Sequence, residues 1–206
     1  MLANQTPART HKMQLHEVGM VRHAPRSTVA SGKLLLLGDG ACGKTCLLGR
    51  LVHGASAPRD YSQTAVPQVS SASVAASATT AVSFVCVDVP GGTCFNMRPG
   101  NDLSRGVTGS DVIAVAVCFS VDSRESLMAA GKWLRLAPQG VPGVLVGCKA
   151  DLRGAERAAV GAAEAGQAAA ALGLHYFEVS AATGDVRPPF EWLAGEVATN
   201  AARAGP

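Results

Sequence analysis

Gly38-Asp39-Gly40-Ala41-Cys42-Gly43-Lys44-Thr45 stands between an apolar run, residues 34–37, and a stretch of helical period, residues 43–53. A chain that wraps a phosphate with its own N–H groups needs residues without side chains in the way, hence Gly38, Gly40 and Gly43. The helix that opens there points its positive end at the anion. Lys44 is placed to reach β- and γ-phosphates, and the Thr45 hydroxyl to ligate magnesium. A strand before and a helix after are the context this motif requires, so the stretch reads as a phosphate cradle rather than a glycine-rich turn. A P-loop alone also suits a nucleoside kinase or a larger ATPase.

Outward from the cradle, strand and helix alternate. Residues 34–37 predict a strand buried on both faces, and residues 43–53 a helix with Leu47, Leu48 and Leu51 inward. Further strands are expected at 68–76, 82–89, 112–120, 144–148 and 174–179, and helices at 122–136, 155–172 and 190–202. Continuous apolar runs such as 112–120 are what central parallel strands show. The alternation predicts an α/β domain with a six-stranded, mostly parallel sheet and helices on both faces. Ligands on such sheets sit at the carboxyl ends of the strands, where the remaining motifs fall.

Gly147-Cys148-Lys149-Ala150-Asp151 closes one of these strands. The Asp151 carboxylate can accept from both N1–H and the 2-amino group of guanine, a pair adenine lacks, while the stem of Lys149 lies along the base. Ser180-Ala181-Ala182 closes the last strand, where a backbone N–H can donate to the guanine 6-oxo group. Each is weak alone, but the order after a P-loop makes them strong.

These segments resemble the Ras superfamily of small GTPases over about residues 32–203. The run 38–48 looks like the Rho and Rab branches, Cys148-Lys149-Ala150-Asp151 like the Asn-Lys-x-Asp box, and Ser180-Ala181-Ala182 like the Ser-Ala-Lys box. A closer resemblance is to the Rab-like GTPases of the intraflagellar transport B complex. Asp60-Tyr61-Ser62-Gln63-Thr64, residues 141–147 and Pro188-Pro189-Phe190 carry it. The resemblance implies a Ras-like P-loop G domain that binds GTP or GDP with Mg2+. It also implies a heterodimer with a small β-sandwich subunit within the larger transport complex, placed in the cytoplasm and at the cilium or flagellum and its base.

Residue by residue, the nucleotide-binding set implied is Gly38, Asp39, Gly40, Ala41, Cys42, Gly43, Lys44, Thr45, Cys46, Thr64, Asp88, Gly91, Cys148, Lys149, Asp151, Leu152, Ser180, Ala181 and Ala182. Thr45, Thr64 and Asp88 form the implied magnesium set. Thr64 matches the first switch, and Asp88-Val89-Pro90-Gly91 the Asp-x-x-Gly box whose glycine N–H senses the γ-phosphate.

The chain departs from the family at three places. Gly92 stands where active members carry the glutamine that orients water, Cys148 replaces asparagine, and Ala182 replaces lysine. Pro90 removes a donor inside the switch box, and residues 93–108 are a poor helix for the second switch. The expectation is a binder that hydrolyses GTP slowly or not at all. The alternative is a soluble Rho- or Rab-like switch in vesicle traffic; a P-loop kinase lacks a recognisable arginine-rich lid.

The rest of the composition bounds the reading. With 206 residues, 48% hydrophobic and 16% charged, the chain can bury a full core, built from Val, Leu and Ala because aromatics are only 4%. A net charge of +3, without a basic stripe or interleaved aromatics, points away from nucleic acid. The six cysteines show no paired metal-ligand spacing and read as reduced thiols. No run approaches the roughly 20 residues that cross a bilayer. Neither a glycine after Met1 nor a terminal cysteine box is present, so no lipid anchor is expected. Residues 1–31 read as an unstructured basic extension, with a mitochondrial targeting peptide or a start at Met20 as open alternatives.

Overall fold

The computed structural model describes residues 26–54, 64, 67–92, 109–154 and 157–204. Strands β1 (Ser27–Leu37), β2 (Gln68–Ala75), β3 (Thr80–Asp88), β4 (Val112–Ser120), β5 (Gly143–Cys148) and β6 (His175–Glu178) form one sheet in the order β2-β3-β1-β4-β5-β6. Only β2 runs antiparallel to its neighbour; every other pair is parallel. Helices α1 (Lys44–His53), α2 (Arg124–Met128), α3 (Ala130–Leu134), α4 (Ala162–Ala171) and α5 (Pro188–Ala204) cover it, with a 3-10 turn at Ala150–Arg153.

The four leucines of β1 explain why both faces are covered. Each is fully buried, and side chains alternate across a strand. Leu34 and Leu36 join Leu47, Leu48, Phe190 and Leu193 in the core under α1 and α5. Leu35 and Leu37 join Phe119, Trp133, Ala165 and Ala169 in the core under α3 and α4. The alanines of α4 let that helix settle close to the sheet; Ala165 and Ala169 are its buried residues.

Four boundaries correct the expectations. β1 begins at Ser27, so residues 27–31 belong to a strand and not to the extension. They pair with β3 alone, from Ser27 opposite Thr80, whereas β4 joins only from Lys33. One free edge leaves them largely exposed and polar, which hides the strand from an apolar-run reading. The helix expected at 122–136 is two short helices separated at Ala129 (φ −74°, ψ −14°), where the turn tightens and Gly131 packs toward Leu172. The helix expected from 155 begins at Ala162. Upstream, the Ala159 and Val160 N–H groups donate to Val121 O, and Gly161 is extended. Glu164 then reaches back to the Gly161 N–H at 3.4 Å. Finally, α5 starts at Pro188 rather than residue 190, since prolines suit a first turn whose N–H groups have no helical partner.

The expectation for residues 93–108 lies outside the described residues, as do Asp60, Tyr61, Ser62, Gln63 and Cys94.

Candidate nucleotide-binding site

The loop between β1 and α1 is shaped by backbone that few residues tolerate. At Gly38, with φ 143°, a Cβ would lie 2.2 Å from the carbonyl oxygen of Cys118. Ala41 is held at φ 58°, a left-handed conformation costing roughly 1–3 kcal/mol and kept where the surroundings enforce it. Lys44 is only 5% exposed and folds back over the loop. Its Nζ donates to the carbonyls of Gly38 at 2.9 Å and Asp39 at 2.8 Å. A buried ammonium on two carbonyls, with no carboxylate paired to it among the described residues, is a cation suited to hold an anion. Cys42 points inward; burial pushes its thiol up to about 12, and its sulfur packs in the core 3.9 Å from Lys44 Nζ.

The loop lines a cleft with Gly40, Ala41, Gly43, Lys44, Thr45, Cys46, Thr64 and Gly91. Three oxygens converge at its floor. Thr45 Oγ1 lies 2.8 Å from Thr64 Oγ1 and donates to Asp88 Oδ2 at 2.5 Å. Asp88 is fully buried at the end of β3, and among the described residues its Oδ1 has no hydrogen-bond partner. Burial raises its carboxyl pKa, opposed by the Thr45 hydroxyl, the Lys44 charge and the Thr64 hydroxyl. Two hydroxyls beside a carboxylate whose second oxygen is orphaned fit a hard, oxygen-seeking divalent cation. Gly91 presses onto the loop so closely that a Cβ there would lie 2.0 Å from Gly40 N. Gly92 beside it is exposed, with nothing within 4 Å of where its Cβ would be.

The base-facing segments meet the cradle from β5 and β6. Ser180 Oγ donates to Asp151 Oδ1 at 2.5 Å and accepts from the Ala182 and Thr183 N–H groups at 3.2 Å each. The Ala150 N–H donates to Val179 O at 3.1 Å. Lys149 takes φ 63° and pairs with Asp122 at 3.5 Å. Cys148 is buried, and a Cβ on Gly43 would lie 3.1 Å from its Cβ, so the two loops touch by packing where asparagine would hydrogen-bond. Leu152 turns partly into the core rather than toward the cleft, and Ala181 and Ala182 contribute backbone.

Three features went unread in the sequence. Trp133, fully buried on α3, donates its indole N–H to Asp39 Oδ1 at 2.7 Å. It thereby ties down the one carboxylate of the cradle. Asp122 bonds Ser120 and holds Lys149. Burial raises its carboxyl pKa, but the Ser120 hydroxyl and the Lys149 charge outweigh burial and leave it lowered. Arg153 pairs with Glu178 behind the base-facing turn. The Trp133–Asp39, Asp122–Lys149 and Arg153–Glu178 contacts join segments far apart in sequence and leave no local spacing signal. Among the described residues no group of three or more His, Cys, Asp or Glu side chains gathers as a metal site, and no helix is long and apolar enough to cross a membrane.

A family model described as the Ras family matches residues 33–199. The chain belongs to the Ras family. Its strand order and single antiparallel edge are the Ras-like arrangement, and the cradle, Asp88 and the Asp151–Ser180 pair fall within the matched region. This Ras-family protein is 36% identical over 177 residues to "GTP-binding protein RHO1" of Candida albicans, covering 77% of this chain and 84% of the relative. "Ras-related protein RabG2" of Dictyostelium discoideum is 31% identical over 180 residues, covering 82% and 83%. "GTP-binding protein Rho1" of Kluyveromyces lactis is 35% identical over 177 residues, covering 77% and 80%. The protein is thus a small GTPase of the Rho and Rab type.

Proposed function

We propose that this chain is a guanine-nucleotide switch of the Rho/Rab kind that holds GTP and hydrolyses it slowly. The observation that carries it is the Asp151–Ser180 pair set at 2.5 Å beside the phosphate cradle. Ser180 occupies one oxygen of an exposed carboxylate that keeps lone pairs for the two adjacent donors of guanine. The relatives named for GTP binding support the same reading.

The residues divide the work. The Gly40–Gly43 backbone and the Lys44 ammonium take the phosphate oxygens, Lys44 exchanging its two carbonyls for them. Thr45, Thr64 and Asp88 are the residues that would hold Mg2+, which when bound supplies positive charge beside the β- and γ-phosphates. The Gly91 N–H is placed at the cradle's edge to report whether a γ-phosphate is present. Gly92 offers no side chain to orient water, so hydrolysis rests on the cradle and the cation alone. Competition of GTP and ATP against a fluorescent guanine nucleotide tests the assignment. GTP displacing it far better than ATP is expected; equal displacement would overturn it.

A second reading, a subunit of an intraflagellar transport complex at the cilium, rests on the run 141–147 opening β5 and on Pro188-Pro189-Phe190 opening α5. Its partner would be a small β-sandwich subunit. The relatives reported above carry Rho and Rab names, which favours the switch. Recovery of transport subunits with the tagged chain from ciliated cells, and their absence with a Rho-type control, would favour the second.

A further inference from the structure

The turn that carries Asp151 and the strand end that carries Ser180 are joined by three rungs. The first is the backbone bond from Ala150 N to Val179 O, and the second the Asp151–Ser180 bond. The third lies farther from the cleft. Arg153, last residue of the 3-10 turn, forks onto Glu178, last residue of β6. Its Nε donates to one carboxylate oxygen at 2.6 Å, an Nη donates to the other, and the remaining Nη donates to Val160 O at 2.8 Å. The Tyr176 hydroxyl donates to Glu178 as well, and its ring stacks on Phe119 at 6.3 Å. Gly147 makes room for this group: a Cβ there would lie 3.1 Å from Phe119, 3.2 Å from the Tyr176 hydroxyl and 3.3 Å from Glu178 Cγ.

A planar guanidinium on a carboxylate fixes orientation as well as distance. The pair is about a quarter exposed, 28% and 21%, so it is neither freely solvated nor sealed in the core. Arg153 lies two residues beyond Asp151, and Glu178 two residues before Ser180. With the fork intact, the turn is pinned on both sides of its base-facing carboxylate. Without it, the turn can pivot about the Ala150–Val179 bond.

We infer that Arg153 and Glu178 are positioning residues for guanine discrimination, holding Asp151 in register with the base edge without touching the nucleotide. The inference rests on the guanine-binding reading. Its signature lies in the 2-amino group, which GDP has and IDP lacks and which Asp151 reads. Loosening Asp151 costs GDP two contacts, to N1–H and to the 2-amino group, and IDP only the N1–H contact, so GDP weakens more, whereas general destabilisation weakens both alike.

The experiment measures GDP, IDP and ADP affinities by competition on the full chain, for wild type, Arg153→Met, Arg153→Lys and Glu178→Gln. The expected result is a fall of about tenfold in the GDP-to-IDP preference for Arg153→Met and Glu178→Gln, the scale of one weakened charge-assisted hydrogen bond. IDP affinity should fall as well, by a smaller factor than GDP affinity, because IDP keeps the N1–H donor. Arg153→Lys keeps the charge without the fork and should recover only part of the preference. Should the charge-removing variants fold poorly, Tyr176→Phe loosens Glu178 with the ion pair intact and should lower the same ratio by a smaller factor. A wild type that separates GDP from ADP, with a GDP-to-IDP ratio unmoved in every variant, overturns this inference alone. A wild type that does not separate GDP from ADP removes the guanine reading and this inference with it.

Discussion

Asp88 sits at the floor of the cleft with one oxygen bonded to Thr45 and the other orphaned, an arrangement that costs the empty protein stability. An unsatisfied buried polar atom costs about 1–3 kcal/mol. Asp88→Asn keeps a polar atom there but removes the buried charge, and is expected to raise the melting temperature of nucleotide-free protein by about 2–4 °C per kcal/mol recovered. The same change should shorten nucleotide retention in magnesium but not in chelator. The pH dependence has a definite sign. Because the folded pKa of Asp88 is raised, its contribution is fully present below the ordinary carboxylate pKa and is lost as pH rises through the folded value. The stability of nucleotide-free wild type relative to Asp88→Asn should fall over that window; thermal melts of both in chelator from acid to neutral pH check it. At Gly92 the open space decides the expectation. Wild type should turn over preloaded GTP no faster than an unassisted Ras protein, about 3–5 × 10⁻⁴ per second. Gly92→Gln has room for its amide and should accelerate phosphate release. A faster wild type would mean that another group orients the water.

The Ser27 end of β1 makes an expectation at the scale of the element. Its first residues hang on β3 by backbone bonds and on the β2–β3 turn by Arg26 and Ser27. A chain starting at residue 32 should melt below one starting at residue 26, because it surrenders that pairing while keeping the buried leucines; paired thermal melts check it. The contrast shows which parts of the fold could be read beforehand. Residues 34–37 and 112–120 announce themselves because burial on both faces leaves a continuous apolar run. Ser27–Ser31, paired on one edge and largely exposed, lack any such signal. Likewise the alanine-rich stretch before α4 keeps helical composition, yet two of its N–H groups are taken by the Val121 carbonyl, a partner nearly forty residues away. At the candidate site, the glycines, Lys44, Thr45 and Asp151 stand in short local motifs and could be proposed from residue type and spacing. Trp133, Asp122 and Arg153 could not, because their roles come from folding distant segments together.

Taken whole, the molecule is a sheet whose carboxyl ends gather every candidate group, with a core poor in aromatics spread over two faces. On the proposed function, nucleotide would bridge the cradle on β1, Asp88 on β3 and the loops of β5 and β6, so binding should stabilise the domain as one unit. A saturating ligand at about 100 times its Kd adds ~2.7 kcal/mol. GDP with magnesium should therefore raise the melting temperature of the stripped protein well above any rise given by ADP. That core also has an optical consequence. The chain holds just two tryptophans. Trp192 lies stacked on His175 at 4.9 Å, away from the cleft, while Trp133 is sealed in the interior with its indole N–H on Asp39 of the cradle. Emission from the two should separate by wavelength, with Trp133 the bluer. A rearrangement of the cradle is transmitted to that single fluorophore, so unlabelled protein carries its own gauge of loop occupancy, one that Trp133→Phe should silence.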